Sequence, residues 1–159
     1  MPTASFAPLT GPIGFYPVVP DAAWVKRLLG WGVRTIQLRI KAVDRTPEEI
    51  LAEVQAAIEA GRQVKGAQVF INDHGKLALD FGAYGLHLGQ EDLDTANLDA
   101  LRKSGVRLGL STHTPAELAR GARRRKPIAV PGGLHGNSEA TAEHMLRAPG
   151  VMVLIDGYN

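Results

Sequence analysis

The chain has 159 residues, enough for one domain but short for a closed barrel of eight βα units, which needs at least about 200. Its formal net charge of +2 gives no general attraction to nucleic acid, and the absence of cysteine excludes disulfides and thiolate metal sites. No apolar run approaches the ~20 residues of a membrane span, and the first residues lack the features of a signal peptide. We therefore expect a soluble cytoplasmic protein.

Short apolar runs alternate with amphipathic segments, which predicts βα units and a mostly parallel sheet. Strands are predicted at residues 14–19, 35–40, 68–71, 84–88 and 106–110. Helices are predicted after Asp21, after the capping box that begins at Thr46, over residues 76–81, from Asp94 to Ser104, and after a second capping box at Thr114. In the first helix, Trp24, Val25, Leu28 and Leu29 are expected to lie on one face.

The pattern changes after Pro127. A sixth strand at residues 128–130 is interrupted at once by Pro131-Gly132-Gly133, a short helix is predicted at 138–146, and a last strand at 151–155. We therefore expect residues 1–126 to form a partial (β/α) barrel and residues 127–159 to form a divergent tail, the start of a different domain.

The second strand carries the most informative pattern. Gln37, Arg39 and Lys41 alternate with apolar residues, so they share one face. In a barrel the apolar face meets the helices, which sends these three side chains inward, where two cations need an anionic ligand. Alternation of this kind is also typical of a half-exposed strand with a polar outer face.

Carboxylates and amides follow the third and fourth strands, at Asn72 and Asp73 and then at Gln90, Glu91 and Asp92. Because the carboxyl ends of parallel barrel strands form the active face, their combination with the cations of strand two indicates a site for Mg²⁺ and a diphosphate. Ser111 ends the fifth strand, where a hydroxyl either binds substrate or caps a turn. His87 and His113 are candidate acid–base groups, although such a histidine is more often a core residue.

Five segments, in this order, resemble the thiamine phosphate synthase family: GFYPVV, TIQLRIK, VFINDH, GLHLGQEDLDT and LGLSTHT. They cover residues 12–122. The resemblance implies a (β/α)8 TIM-barrel-like α/β fold, here apparently incomplete. It implies a Mg²⁺-dependent transferase that condenses hydroxymethylpyrimidine diphosphate with thiazole phosphate, giving thiamine phosphate and pyrophosphate.

The resemblance also implies roles for individual residues. The substrate-binding residues would be Gln37, Leu38, Arg39, Ile40, Lys41, Asn72 and Ser111, and the Mg²⁺ ligands would be Asp73 and Asp92. Arg39 and Lys41 would act in catalysis by stabilising charge on the departing diphosphate, and Ser111 would lie near the reacting carbon.

The sequence departs from the family pattern at residues 127–133, which lack the threonine and lysine that bind the thiazole phosphate in the family. We therefore expect the chain to bind the pyrimidine diphosphate better than it turns it over. Residues 134–159 resemble the start of a NYN/PIN-like ribonuclease domain, in which Asp156 would help to bind a metal. Partner carboxylates for Asp156 are missing, so nuclease activity is not expected.

Other readings stay open at this point. One is a non-catalytic fragment that binds ligand or self-associates into a homo-oligomer through open barrel edges. Another is an enzyme like the thiazole tautomerases, which share the barrel, although Asn72-Asp73 with Gln90-Glu91-Asp92 favours the synthase. An RNA-processing protein built around the tail is the third.

Overall fold

The computed structural model describes residues 5–117, 119–120 and 152–155. Their contacts divide the described chain into two compact units. Residues 9–87 form the first, called here the N-terminal unit. The described residues of 5–8 and from 88 onward form the second, the C-terminal unit.

The N-terminal unit alternates strands and helices in chain order. Its elements are β1 (Val18–Val19), α1 (Ala22–Gly30), β2 (Thr35–Leu38), α2 (Pro47–Arg62), β3 (Gln68–Asn72), α3 (Gly75–Asp80) and β4 (Gly85–Leu88), whose last residue belongs to the other unit. All neighbouring pairs are parallel, with Gln37 level with Val18 and Phe70, and Phe70 level with Gly85. This confirms the predicted α/β class with a parallel sheet.

The C-terminal unit contains α4 (Gln90–Thr95), α5 (Leu98–Ser104), β5 (Arg107–Thr112) and β6 (Met152–Ile155). The two strands run parallel, with Leu110 level with Val153. The last strand therefore agrees closely with the prediction at residues 151–155. Among the helices of both units, none in the described residues combines the length and the apolar character that crossing a bilayer requires.

The sheet of the N-terminal unit has an apolar face and a polar face. On the apolar face, α2 packs so closely on β3 that a methyl group on Gly61 would lie 2.9 Å from Val69 Cγ2. A methyl group on Gly75, at the start of α3, would lie 3.5 Å from Leu86 Cδ2 on β4. The helices thus cover one side of the sheet, as the alternation of residues in β2 predicts.

The amino ends of the strands are closed by a hydrogen-bond network around Gln68, which is buried. Its Nε2 donates to Thr35 Oγ1 and to Pro12 O, both at 3.0 Å. Its Oε1 accepts from Gly11 N at 3.3 Å and from the hydroxyl of Tyr84. A buried amide is stabilising only when it is satisfied in this way, so this end of the sheet is built for stability.

Two predicted helix caps are confirmed. Asp21 Oδ1 accepts from Trp24 N at 2.8 Å at the start of α1. At the start of α2, Thr46 Oγ1 accepts from Glu49 N at 3.2 Å while Glu49 Oε2 accepts from Thr46 N at 2.9 Å, which is a complete capping box.

The first two strands are shorter than predicted. β1 has only two residues instead of six, because Gly14 is left-handed with a φ of 59° and Pro17 has no N–H to donate. β2 ends at Leu38, although Arg39 N still donates to Val19 O at 2.9 Å. On the predicted face of α1, Val25, Leu28 and Leu29 are buried, while Trp24 is 38% exposed and lies under the guanidinium of Arg27.

The single helix predicted from Asp94 to Ser104 is wrong. The chain is extended at Ala96, and Asn97 begins a new helix by accepting from Ala100 N at 3.0 Å. Asp94 is not a cap, and both of its carboxylate oxygens accept from Arg120 at 2.6 Å.

The predicted capping box at Thr114 is only half formed. Thr114 Oγ1 accepts from Glu117 N at 3.2 Å, but the Glu117 carboxylate accepts from His113 N at 2.6 Å rather than from Thr114. β5 runs two residues beyond its predicted end, to Thr112. The predicted strand at 128–130 and the predicted helix at 138–146 lie outside the described residues.

Candidate functional site

β2 delivers the polar residues of the candidate site in two different environments. Gln37 is buried and donates through Nε2 to the Tyr16 hydroxyl at 3.2 Å. Arg39 and Lys41, beyond the strand end, are exposed. Leu38 and Ile40 are buried, so any contact they make with a ligand is through the main chain. The predicted inward face therefore applies to Gln37, while the two cations stand at the strand's carboxyl end.

β3 ends in Asn72, which is buried, and Asp73 is the first residue beyond it. Asp73 is exposed and left-handed, with a φ of 63°, a conformation that Asp adopts more readily than most residues. Its backbone is fixed on both sides, since Asp73 N donates to His87 O at 3.1 Å and Asp73 O accepts from Gly75 N at 2.9 Å. Such a strained backbone, held in place by its neighbours, is typical of functional sites.

These strand ends meet at one edge of the N-terminal unit. β2 and β3 are parallel with Leu38 level with Ile71, so Arg39 and Asn72 are the next residues on adjacent strands. Two cations from one strand end and a carboxylate from the next therefore lie at the same edge. This arrangement suits a ligand that carries negative charge together with a metal ion.

The C-terminal unit contains the other predicted site residues. Asp92 lies in the first turn of α4, where a methyl group on Gly89 would be 3.3 Å from its Oδ2. Ser111 lies one residue before the end of β5, and its carbonyl accepts from Gln90 Nε2 at 2.7 Å. Asp73 and Asp92 belong to different units, so their action as ligands of one ion stays a prediction.

The predicted Mg²⁺ would meet few protein donors among the described residues. Within the described ranges, no three His, Asp or Glu side chains gather into a metal-binding cluster. Mg²⁺ needs no such cage, because it commonly binds through one or two carboxylates plus phosphate oxygens and water. The exposed carboxylate of Asp73, at the same edge as Arg39 and Lys41, is a donor that fits an ion arriving with a diphosphate.

Tyr16 is the residue that sequence reasoning missed. Its hydroxyl lies 3.2 Å from Gln37 Nε2 and 3.2 Å from His87 Nδ1, and burial raises its pKa above the ordinary value for a phenol. His87 is 1% exposed, so it is a core residue, and His113 is exposed on the surface. The signal was present in GFYPVV, where a period of two places Tyr16 on the face of Val18, which is level with Gln37.

The family model and the curated relatives that the chain resembles carry the same enzyme name. Residues 15–143 match the family model described as thiamine monophosphate synthase. The chain is 53% identical over 130 residues to the thiamine-phosphate synthase of Photorhabdus laumondii. This alignment covers 82% of this chain and 58% of that protein. It is 56% identical over 115 residues to that of Pectobacterium atrosepticum, covering 72% of this chain and 53% of the relative. The chain thus spans little more than half the length of these relatives.

The fold has solved counterparts. A thiamine phosphate pyrophosphorylase from Pyrococcus furiosus superposes with a TM-score of 0.57 over 90% of this chain and 85% of that one, at 16% sequence identity. This likeness supports the fold alone, and it agrees with the predicted α/β barrel type. With a family match that covers most of its residues and relatives above 50% identity, the chain belongs to the thiamine monophosphate synthase family.

Proposed function

We propose that the chain binds hydroxymethylpyrimidine diphosphate together with Mg²⁺, as part of an enzyme that joins this substrate to thiazole phosphate. The observation that carries the proposal is the shared edge of β2 and β3, at which Arg39, Lys41, Asn72 and Asp73 follow parallel strand ends. The names of the relatives above 50% identity support the same reaction.

The chemistry requires stabilisation of a leaving group. The bond between the pyrimidine methylene carbon and a diphosphate oxygen breaks, pyrophosphate leaves with the electron pair, and the thiazole nitrogen forms the new bond to carbon. Arg39 and Lys41 would stabilise the negative charge that develops on the diphosphate. Bound Mg²⁺ would neutralise part of the same charge, with Asp73 and Asp92 as its protein ligands. Asn72 would bind the substrate, and Ser111 would lie near the reacting carbon.

Other parts of the proposal rest on the sequence. Residues 1–126 are proposed to form the synthase-like part and residues 127–159 a divergent tail that resembles a NYN/PIN-like domain, although the family match continues to residue 143. The lack of threonine and lysine at 127–133 supports stronger binding than turnover. A cytoplasmic site of action agrees with relatives that are named for a biosynthetic reaction.

Calorimetry with the pyrimidine diphosphate, with and without Mg²⁺, tests the proposal. The wild-type chain should bind with an affinity that rises when Mg²⁺ is added. Asp73→Asn should weaken Mg²⁺-dependent binding at least about tenfold, a loss of ~1.4 kcal/mol. Asparagine is chosen because it tolerates the left-handed backbone of Asp73, so the variant tests the charge and not the fold.

The matched control is Asp80→Asn. Asp80 is an exposed carboxylate at the end of α3 that pairs with Lys76, so the same chemical change is made away from the strand carboxyl ends. Its binding should equal that of the wild type. Failure of the wild-type chain to bind, or equal binding by Asp73→Asn and Asp80→Asn, would overturn the site assignment.

A further inference from the structure

The side chain of Gln90 connects the start of α4 to the end of β5 within the C-terminal unit. Gln90 is the first residue of α4, and its Nε2 donates to the carbonyl of Ser111 at 2.7 Å. The two residues lie 21 positions apart in the chain and belong to the same unit. The hydrogen bond therefore fixes the first turn of a helix relative to a strand end.

The orientation of the Gln90 amide follows from this hydrogen bond. A main-chain carbonyl only accepts hydrogen bonds, so the amide nitrogen must face Ser111 and Oε1 must point elsewhere. Oε1 is buried there and has no hydrogen-bond partner among the described residues. A buried acceptor without a donor lowers stability, and leucine, of similar size, has no such atom. The bond to Ser111 therefore explains a glutamine at this position better than packing does.

Asp92, the predicted Mg²⁺ ligand, lies in the same turn of α4. Asp92 is half-buried, and its carboxylate forms no hydrogen bond or ion pair with another described residue. Its Oδ2 lies close to Gly89, where an added β-carbon would come within 3.3 Å of it. Because no described side chain holds this carboxylate, its position depends on the position of the turn that carries it.

α4 is too short to hold this turn in place by itself. It has six residues, and the chain is extended at Ala96, where the helix ends. A helix of this length is marginal without contacts to the rest of the fold. Leu93 is its buried residue, and near its end Asp94 accepts from Arg120 at 2.6 Å. At its beginning, the hydrogen bond of Gln90 provides the corresponding attachment.

We propose that Gln90 is a positioning residue, which holds the turn of Asp92 at a fixed place relative to Ser111. This inference rests on the proposed function, in which Asp92 binds Mg²⁺ and Ser111 lies near the reacting carbon. The diphosphate and the reacting carbon belong to one substrate, so the metal ligand and the strand end must keep the spacing that the substrate sets. Removal of a contact that orients a metal ligand typically weakens metal binding by about 10–100-fold.

Calorimetry with hydroxymethylpyrimidine diphosphate tests the proposal through the gain in affinity that Mg²⁺ gives. Gln90→Leu removes the hydrogen bond to Ser111 and leaves Asp92 in the chain. The gain in affinity on addition of Mg²⁺ should fall about tenfold, while the affinity without Mg²⁺ should stay unchanged. Gln90→Met keeps the unbranched shape and the length of glutamine, so it should show the same fall and exclude a local effect of the branched leucine.

A double variant separates positioning from a general loss of structure. In Asp92→Asn no carboxylate charge is left to position, so adding Gln90→Leu should cause no further fall in the gain that Mg²⁺ gives. A substitution that merely loosened the C-terminal unit would lower this gain in both backgrounds. Circular dichroism should show that the helices of every variant are intact under the conditions of the binding experiment.

The matched control is Gln63→Leu, the same change at an exposed glutamine whose amide donates to Glu59 in the N-terminal unit. Its binding should equal that of the wild type with and without Mg²⁺. An undiminished Mg²⁺ gain in Gln90→Leu and Gln90→Met, or an equal further loss in the Asp92→Asn background, would overturn the proposal. A wild type without any Mg²⁺-dependent gain, or an unchanged gain in Asp92→Asn, would instead overturn the proposed function.

Discussion

Gly85 has no room for a side chain, so the loss of stability on its replacement can be predicted from the contacts that a side chain would make. A β-carbon at this position would lie 2.3 Å from Phe70 Cε1, 2.4 Å from Cδ1 and 2.9 Å from Cζ. Ordinary contacts of a β-carbon begin at 3.4 Å, so the Phe70 ring would have to move by about 1 Å. The ring is fully buried and has Tyr16 and Tyr84 packed against it, so it has little freedom to do so.

Gly85→Ala should therefore lower the free energy of unfolding by about 3 kcal/mol, the upper end of the usual cost of overpacking. For a chain of this length, that loss corresponds to a fall in Tm of roughly 6–12 °C. Phe70→Leu alone should cost about 1–2 kcal/mol, because it shortens a buried side chain. The double variant should be destabilised by ~1–3 kcal/mol less than the sum of the two single variants, because the shorter side chain makes room for the new methyl group.

Tryptophan fluorescence during urea unfolding measures these effects in the relevant unit, because both tryptophans, Trp24 and Trp31, belong to the N-terminal unit. Gly30→Ala is the matched control. It makes the same chemical change at the last residue of α1, where a β-carbon meets nothing within 4 Å, and should stabilise by about 0.4–1 kcal/mol. Equal effects at Gly30 and Gly85, or simple additivity with Phe70→Leu, would refute the reasoning.

Three further predictions concern stability. Thr46→Ala should cost about 1 kcal/mol in thermal melts by removing the capping box of α2, while Thr46→Ser should retain most of it. Burial raises the pKa of the Tyr16 phenol, so the unfolded chain loses this proton at a lower pH than the folded chain does. The stability that Tyr16 contributes in this way is complete below about pH 10 and is lost as the pH rises further. The free energy of unfolding in urea should therefore fall less between about pH 8 and about pH 11 in Tyr16→Phe than in the wild type. Gln90→Glu should cost roughly 2–3 kcal/mol because it sets a carboxylate against the Ser111 carbonyl, which Gln90 Nε2 now contacts at 2.7 Å. Gln90→Leu should cost under about 1 kcal/mol in the same denaturation assay, since it also removes a buried Oε1 with no partner among the described residues.

The features that were predictable from the sequence are those set by neighbours in the chain. Asp21 and Thr46 cap their helices through bonds to residues only three positions away, so a short motif contains all the information. The break at Asn97 was missed because no Gly or Pro marks it. There the Asn97 side chain competes with the helix by bonding to the backbone of Ala100, an outcome that propensity alone does not reveal.

In the candidate site, too, the predictable features are those set by residues near each other in the chain. The positions of Asn72 and Asp73 could be predicted because they come at the end of an apolar strand, and parallel strands end at one edge. Arg39 was predicted inside the second strand because the alternating pattern continues beyond Leu38, where the strand ends. The role of Tyr16 could not, because its partners lie 21 and 71 residues away along the chain. No local pattern shows that its hydroxyl will bridge them.

The network around Gln68 has a consequence for how the protein can change. Libraries that randomise positions at the closed end of the N-terminal unit should yield mostly insoluble clones, because almost any replacement of Gln68 removes its hydrogen bonds to the buried Thr35 and to Gly11 and Pro12. Libraries at Arg39, Lys41 and Asp73, on the opposite rim, should yield folded clones with shifted ligand preference, because these side chains are exposed. New ligand specificities are therefore expected to arise by substitutions at the carboxyl ends of the strands. The residues of the Gln68 network at the amino ends are expected to change little.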